Sequence, residues 1–91
     1  MAKKNKERYP HFRKYKRSGH PALIIGEYPL NRKEYIYRKV MHNTHDGRHL
    51  NERVYPNPDP TDKEPMYIAK RKRHDLKTNF SRWKYPWRYK K

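Results

Sequence analysis

Six histidines and 25 lysines and arginines in a chain of 91 residues supply the side chains that phosphodiester chemistry uses. Cleaving RNA without a metal needs a base for the 2′-OH proton, an acid for the leaving oxygen and cations for the charge on phosphorus. His20 stands just ahead of the most apolar stretch of the chain and could act as base or acid. Thr44 and His45 follow a second apolar stretch and could bind a phosphate or move a proton. Lys70, Arg71, Lys72 and Arg73 form a run that could supply the charge. Spacing alone does not separate this chemistry from phosphate binding, because a loop histidine in a basic protein more often donates to phosphate or meets water. His42, His45 and His49 stand at i, i+3 and i+7, but Asp46-Gly47 breaks any helix that would join them and cysteine is absent. No metal site and no cofactor is expected from such a set. The carboxylates are scattered without an acid–base pair, and Gly19, Gly26 and Gly47 are isolated, so no phosphate-cradling loop is present.

The excess charge lies at the two ends. Residues 1–20 carry eight Lys/Arg against one acid, residues 70–91 carry ten against one, and residues 21–69 carry seven of each. Two basic ends on a neutral middle suit a polyanion, since lysine and arginine release counterions from phosphates. Both ends interleave the charge with aromatics: Tyr9, Phe12 and Tyr15 in one, Phe80, Trp83, Tyr85, Trp87 and Tyr89 in the other. Aromatic faces stack unpaired bases, which points to RNA or single strands over duplex DNA. The candidate RNA contacts are Lys14, Lys16, Arg17 and Arg48 in the first half of the chain. In the second half they are Lys70, Arg71, Lys72, Arg73, Lys77 and Arg82, with Trp83, Tyr85 and Trp87 as stacking residues.

The elements that must position these residues read as strands. Pro21–Glu27 is a short branched apolar run bounded by proline and glycine. Tyr28–Asn31 is a turn, and Glu34–His42 is a second strand with Tyr35, Tyr37 and Met41 on one face and Ile36 and Val40 on the other. Asp46-Gly47 is the strongest hairpin signal, leading to a third strand over 49–55. Residues 56–62 form a proline-stiffened loop, and Met66–Arg73 is a fourth strand. Asp75 is placed to cap a short helical turn from Leu76 to Phe80, and Trp83 is expected to fold back onto the core. The fold class is therefore mainly β: a small SH3-like barrel of four to five short strands with one helical turn. Residues 1–17 read as a basic N-terminal arm, 18–80 as the barrel domain and 81–91 as a basic aromatic tail.

The stretch Ser18-Gly19-His20-Pro21-Ala22-Leu23-Ile24-Ile25 resembles the G-x-R-P-x-L-V-I lead-in to an early core strand of PemK/MazF-like toxins. Val40–His45 is similar to that family's following strand, which ends in Thr or Ser, and Met66–Leu76 looks like the strand and turn that close its barrel. The resemblance covers roughly residues 18–80. It implies an SH3-like barrel, metal-independent endoribonuclease activity on single-stranded RNA, a catalytic role for Thr44 and an acidic antitoxin partner. His20 stands where the family has arginine, so a permanent forked phosphate contact is lost while proton transfer is kept. The family's G-D-I/V strand is replaced by the basic arm.

Three readings follow: a non-catalytic RNA-binding barrel, a toxin-type endoribonuclease using His20, Thr44 and His45, and a structural component of a ribonucleoprotein such as a ribosomal protein. The expected partner in each is RNA, single-stranded or structured, and the toxin reading adds possible homodimer pairing. The lack of cysteine, of a long apolar run and of a signal-peptide core fits a cytoplasmic protein without a membrane partner.

Overall fold

The computed structural model describes residues 8–54, 57–59 and 61–86, and Trp87 lies outside them. The chain is mainly β. It forms β1 (His11–Lys14), β2 (Pro21–Tyr28), β3 (Asn31–Met41), β4 (His45–Asp46), β5 (His49–Leu50), β6 (Glu52–Val54) and β7 (Met66–Leu76), then a single 3-10 turn over Lys77–Asn79. Five strands make one antiparallel sheet in the order β1-β2-β3-β7-β6, and β4 and β5 pair apart from it.

Register and pleat divide the apolar residues between the two faces of that sheet. Phe12 pairs with Leu23, Val40 with Ile68 and Val54 with Met66. These six side chains form one buried cluster, closed by Tyr85. Neighbours one residue along the pleat point the other way. Ala22, Ile24, Tyr35 and Tyr37 accordingly form a second cluster with Phe80. A sheet buried on both faces has to curl, and the extra residues that bend it are visible in the register. Ile24 and Gly26 lie opposite the adjacent Tyr37 and Ile36, and Val40 and Arg38 lie opposite Ile68 and Lys72. Each mismatch is a bulge that raises local twist. Arg38 fills the second one, its Nε donating to the Ala69 carbonyl at 2.6 Å while its guanidinium lies 3.8 Å from Glu52. The result is a curled half-barrel, in keeping with the strand pattern read from the sequence.

Three expectations need correcting. The sheet starts inside the segment read as an arm, since His11–Lys14 form an edge strand with Phe12 fully buried. The third strand is broken at buried Asn51, so that β5 pairs with β4 and β6 with β7. Asp75 does not occupy the cap of the helical turn. Leu76 does, and Asp75 instead accepts hydrogen bonds from the Leu76 amide and the Asn79 side chain. The Asp46-Gly47 hairpin is as expected, with Gly47 at φ +65°, a left-handed conformation open to glycine without Cβ strain.

Candidate nucleic-acid interface

The two basic ends of the sequence converge on one groove. β1 brings Lys14 to the surface, and the loop after it brings Lys16, whose amide donates to the Asn79 carbonyl at 2.8 Å. The chain beyond the 3-10 turn then runs back along β1: the Ser81 amide donates to the Lys14 carbonyl and the Tyr85 amide to the Phe12 carbonyl, both at 2.9 Å. These bonds cover the open edge of β1.

Arg13 fastens this strap. Its guanidinium is buried and donates through Nη1 to the Ser81 and Arg82 carbonyls, each at 2.9 Å, and through Nε to His11 at 3.1 Å. It also lies 5.4 Å from the centre of the Tyr35 ring. A buried cation without hydrogen bonds would be costly, so these acceptors are what permit Arg13 to sit inside. Its position fixes Arg82 and Trp83 beside Lys14 and Lys16.

Between them lies an open hollow of about 550 Å³ lined by Lys14, Lys16, Ser81, Arg82 and Trp83. A second hollow of about 420 Å³ shares Lys16, Ser81 and Arg82 and extends toward Lys77, Thr78 and Tyr35. No acid lines either one. Six acids are engaged with bases: Glu27 with Lys77, Glu34 with His74, Glu52 with Arg38, Asp75 with Arg17, and both Asp62 and Glu64 with His42. Among the described residues, Lys14, Lys16 and Arg82 have no carboxylate partner, so their charge faces water and whatever arrives from it.

The other candidate contacts divide. Lys70, Arg71 and Lys72 are exposed on β7, whereas Arg73 is half-buried and pairs in register with Tyr37. Arg17 lies 3.9 Å from Asp75, and Arg48 is exposed in the β4–β5 turn. Tyr85 is not a surface stacking residue. It is 8% exposed in the first core cluster, and burial, reinforced by nearby Asp59, pushes its phenol up to about 12. Tyr85, expected to stack, folds back onto the core, while Trp83, expected both to stack and to fold back, stays 52% exposed.

His20 meets a residue that the spacing did not suggest. Its ring lies edge-on to His42 with centroids 5.3 Å apart. His42 Nε2 is 3.2 Å from Asp62, and its Nδ1 is 3.1 Å from the Pro65 carbonyl and 3.5 Å from Glu64. A hydrogen bond donated by the Glu64 amide, helped by Asn57 and by the two histidines, holds the Asp62 carboxyl below its usual range against the opposing effect of burial. Thr44 and His45 form a separate pair, Oγ1 to Nδ1 at 3.0 Å, on the exposed β4 hairpin. His49 pairs across that hairpin with Asp46. Among the described residues no cluster of three or more His, Asp or Glu side chains could hold a metal ion. Nor is any helix there long and apolar enough to cross a membrane.

Sequence reasoning missed Arg13, Ser81, His42 and Asp62. For the first, the lysines and arginines around Phe12 masked the strand that buries it. Ser81 carried none, and His42 and Asp62 are twenty residues apart with nothing local to link them. Compared with known proteins, the chain matches no family model, no curated protein and no solved structure.

Proposed function

We propose that this protein binds RNA by gripping the phosphate backbone in the groove between β1 and the 77–83 segment. The observation that carries this reading is the lining of the groove: Lys14, Lys16 and Arg82 side by side without a carboxylate, beside an exposed tryptophan. Three cations held together repel one another, and a phosphate strand relieves that repulsion while releasing counterions. The exposed Lys70, Arg71 and Lys72 extend the basic surface along β7. Binding of a mixed-sequence single-stranded RNA, followed by fluorescence anisotropy at several salt concentrations, tests the proposal. Affinity should fall steeply with salt, with log K losing about 0.7 per decade of salt for each phosphate contacted. Salt-insensitive binding, or none at low salt, would sink it.

A second reading is metal-independent cleavage of the bound strand, as in the PemK/MazF-like toxins that the sequence resembles. The contact between His20 and the Asp62-held His42 favours it. His42 has both ring nitrogens on oxygen acceptors. His20 is the ring with a nitrogen available to take the 2′-OH proton or supply one to the leaving oxygen, and Thr44 and His45 are the further candidates. Incubating the RNA with protein in EDTA separates the readings. Discrete products that disappear in His20→Ala establish cleavage, and intact RNA leaves a binding protein.

A further inference from the structure

Trp83 is 52% exposed, yet its surroundings hold it in place. Its carbonyl accepts a hydrogen bond from Ser81 Oγ at 2.7 Å, and that hydroxyl accepts one from the Lys14 amide at 3.0 Å. Its indole packs edge-on against the buried Tyr85 ring, with centroids 5.0 Å apart and planes at 86°. Arg13 clamps the two preceding carbonyls from beneath. An aromatic ring half in water is ordinary, but one seated on a core tyrosine and fixed at its backbone has lost its conformational freedom before any ligand arrives. Such a ring gives up little entropy when something stacks on it. The hollow of about 550 Å³ beside it mixes this ring with three cations, and the second hollow of about 420 Å³ continues past Arg82 to Lys77. A flat apolar surface sharing a hollow with cations matches an unpaired base and its flanking phosphates.

We propose that Trp83 is the stacking platform for one unpaired base, with Lys14 and Lys16 on one flanking phosphate and Arg82 on the other, so that the protein selects single strands over duplexes. The inference rests on the RNA-binding reading and adds the class of strand. In a duplex each base face is already covered by its neighbours, so a duplex reaches the cations and not the indole. The lysine-rich, acid-free lining also favours phosphate over a protein partner.

The test uses the full chain carrying Trp87→Phe, which leaves Trp83 as the one tryptophan of two. Its fluorescence is followed on adding a single-stranded RNA of about eight nucleotides, the matching duplex, an abasic strand and poly-glutamate. The single strand should quench Trp83 strongly and the other three weakly. Trp83→Ala should weaken single-strand binding by about 5- to 150-fold with the salt slope unchanged, and Trp83→Phe should restore part of the loss. Thermal melting shows that each variant is folded. The inference is overturned if duplex and single strand bind within about twofold of one another, if Trp83→Ala binds like the parent, or if poly-glutamate quenches as well as RNA. Should the parent bind no RNA at all, the RNA-binding reading fails with it. Loss of binding in a Lys14/Lys16/Arg82 charge reversal, with Trp83→Ala unaffected, removes the stacking platform alone.

Discussion

Lys14, Lys16 and Arg82 face water with no carboxylate against them, whereas His42 lies against Asp62, Glu64 and the Pro65 carbonyl. Both regions join distant parts of the chain, and they handle charge in opposite ways. At the groove, one buried arginine uses neutral carbonyls to hold surface cations together. At His42, two carboxylates and a carbonyl lie locally against the ring nitrogens. Paired charges at a surface contribute little to stability and attract little from solution. Unpaired cations held in a cluster gain nothing from the fold itself and everything from an anionic ligand. Under the proposed function, the contrast favours the groove over the His42 cluster as the surface for a polyanion.

The largest effect should come from charge reversal. Lys14→Glu, Lys16→Glu and Arg82→Glu together should weaken RNA binding by more than about 100-fold and flatten its salt dependence. Reversing Arg32, Lys33 and Lys63, which are exposed elsewhere, alters net charge equally and should cost under about tenfold. Equal losses in the two triples would mean that charge matters and the groove does not.

Next in size is the clamp. Arg13→Ala leaves the Ser81 and Arg82 carbonyls and the His11 ring without their donor, and should destabilise the chain by about 2–4 kcal/mol in denaturant unfolding. Arg13→Lys should recover only part of this, because an ammonium cannot reproduce the guanidinium fork. Retention of full RNA affinity in folded Arg13→Lys would show that Arg82 needs no positioning.

The acid range offers a third test. Burial opposes ionisation of Asp75, but hydrogen bonds from Tyr15, Asn79 and the Leu76 amide, with Arg17 nearby, outweigh it and hold its carboxyl below the usual range. Asp62 is lowered as well. A carboxyl with a depressed folded pKa stabilises the fold fully above its unfolded value of about 4 and loses that contribution as pH falls through the folded value. Melting temperature should therefore drop as pH falls below about 4, and Asp75→Asn should flatten the drop. An unchanged profile in the variant would remove Asp75 from the account.

The smallest effect is expected at the compensated cluster. His42→Gln or Asp62→Asn should change stability by less than about 1 kcal/mol and leave RNA affinity within about twofold. A large affinity loss in either would move the interface away from the groove.

The strands read over 21–27, 34–42 and 66–73 were legible as apolar, branched or aromatic stretches next to turn residues, although the structure carries them to 21–28, 31–41 and 66–76, and the Asp46-Gly47 hairpin was legible from its turn chemistry. β1 was hidden by its composition: Lys14, Lys16 and Arg17 around Phe12 read as a solvated arm, although Arg13 is buried. Lys14, Lys16, Lys77, Arg82 and Trp83 were all singled out from the sequence, and what was missing was that they meet. Trp83 and Tyr85 show the limit most plainly. Two aromatics two residues apart carry the same apolar signal, and Tyr85 is the buried one because its amide bonds to the Phe12 carbonyl and its ring joins the Phe12 cluster.

The sequence by itself determined the class of structure and the sign of the chain's own charge. Short branched and aromatic runs bounded by turn residues bury themselves as strands, and the 25 lysines and arginines against nine acids set a net charge of +16. Only the tertiary structure decided where that charge is concentrated. Pairing the Ser81–Tyr85 strap with β1 brings residue 82 against residue 14, a contact set by backbone hydrogen bonds and one buried arginine across nearly seventy residues. No periodicity within the chain encodes a meeting of that kind.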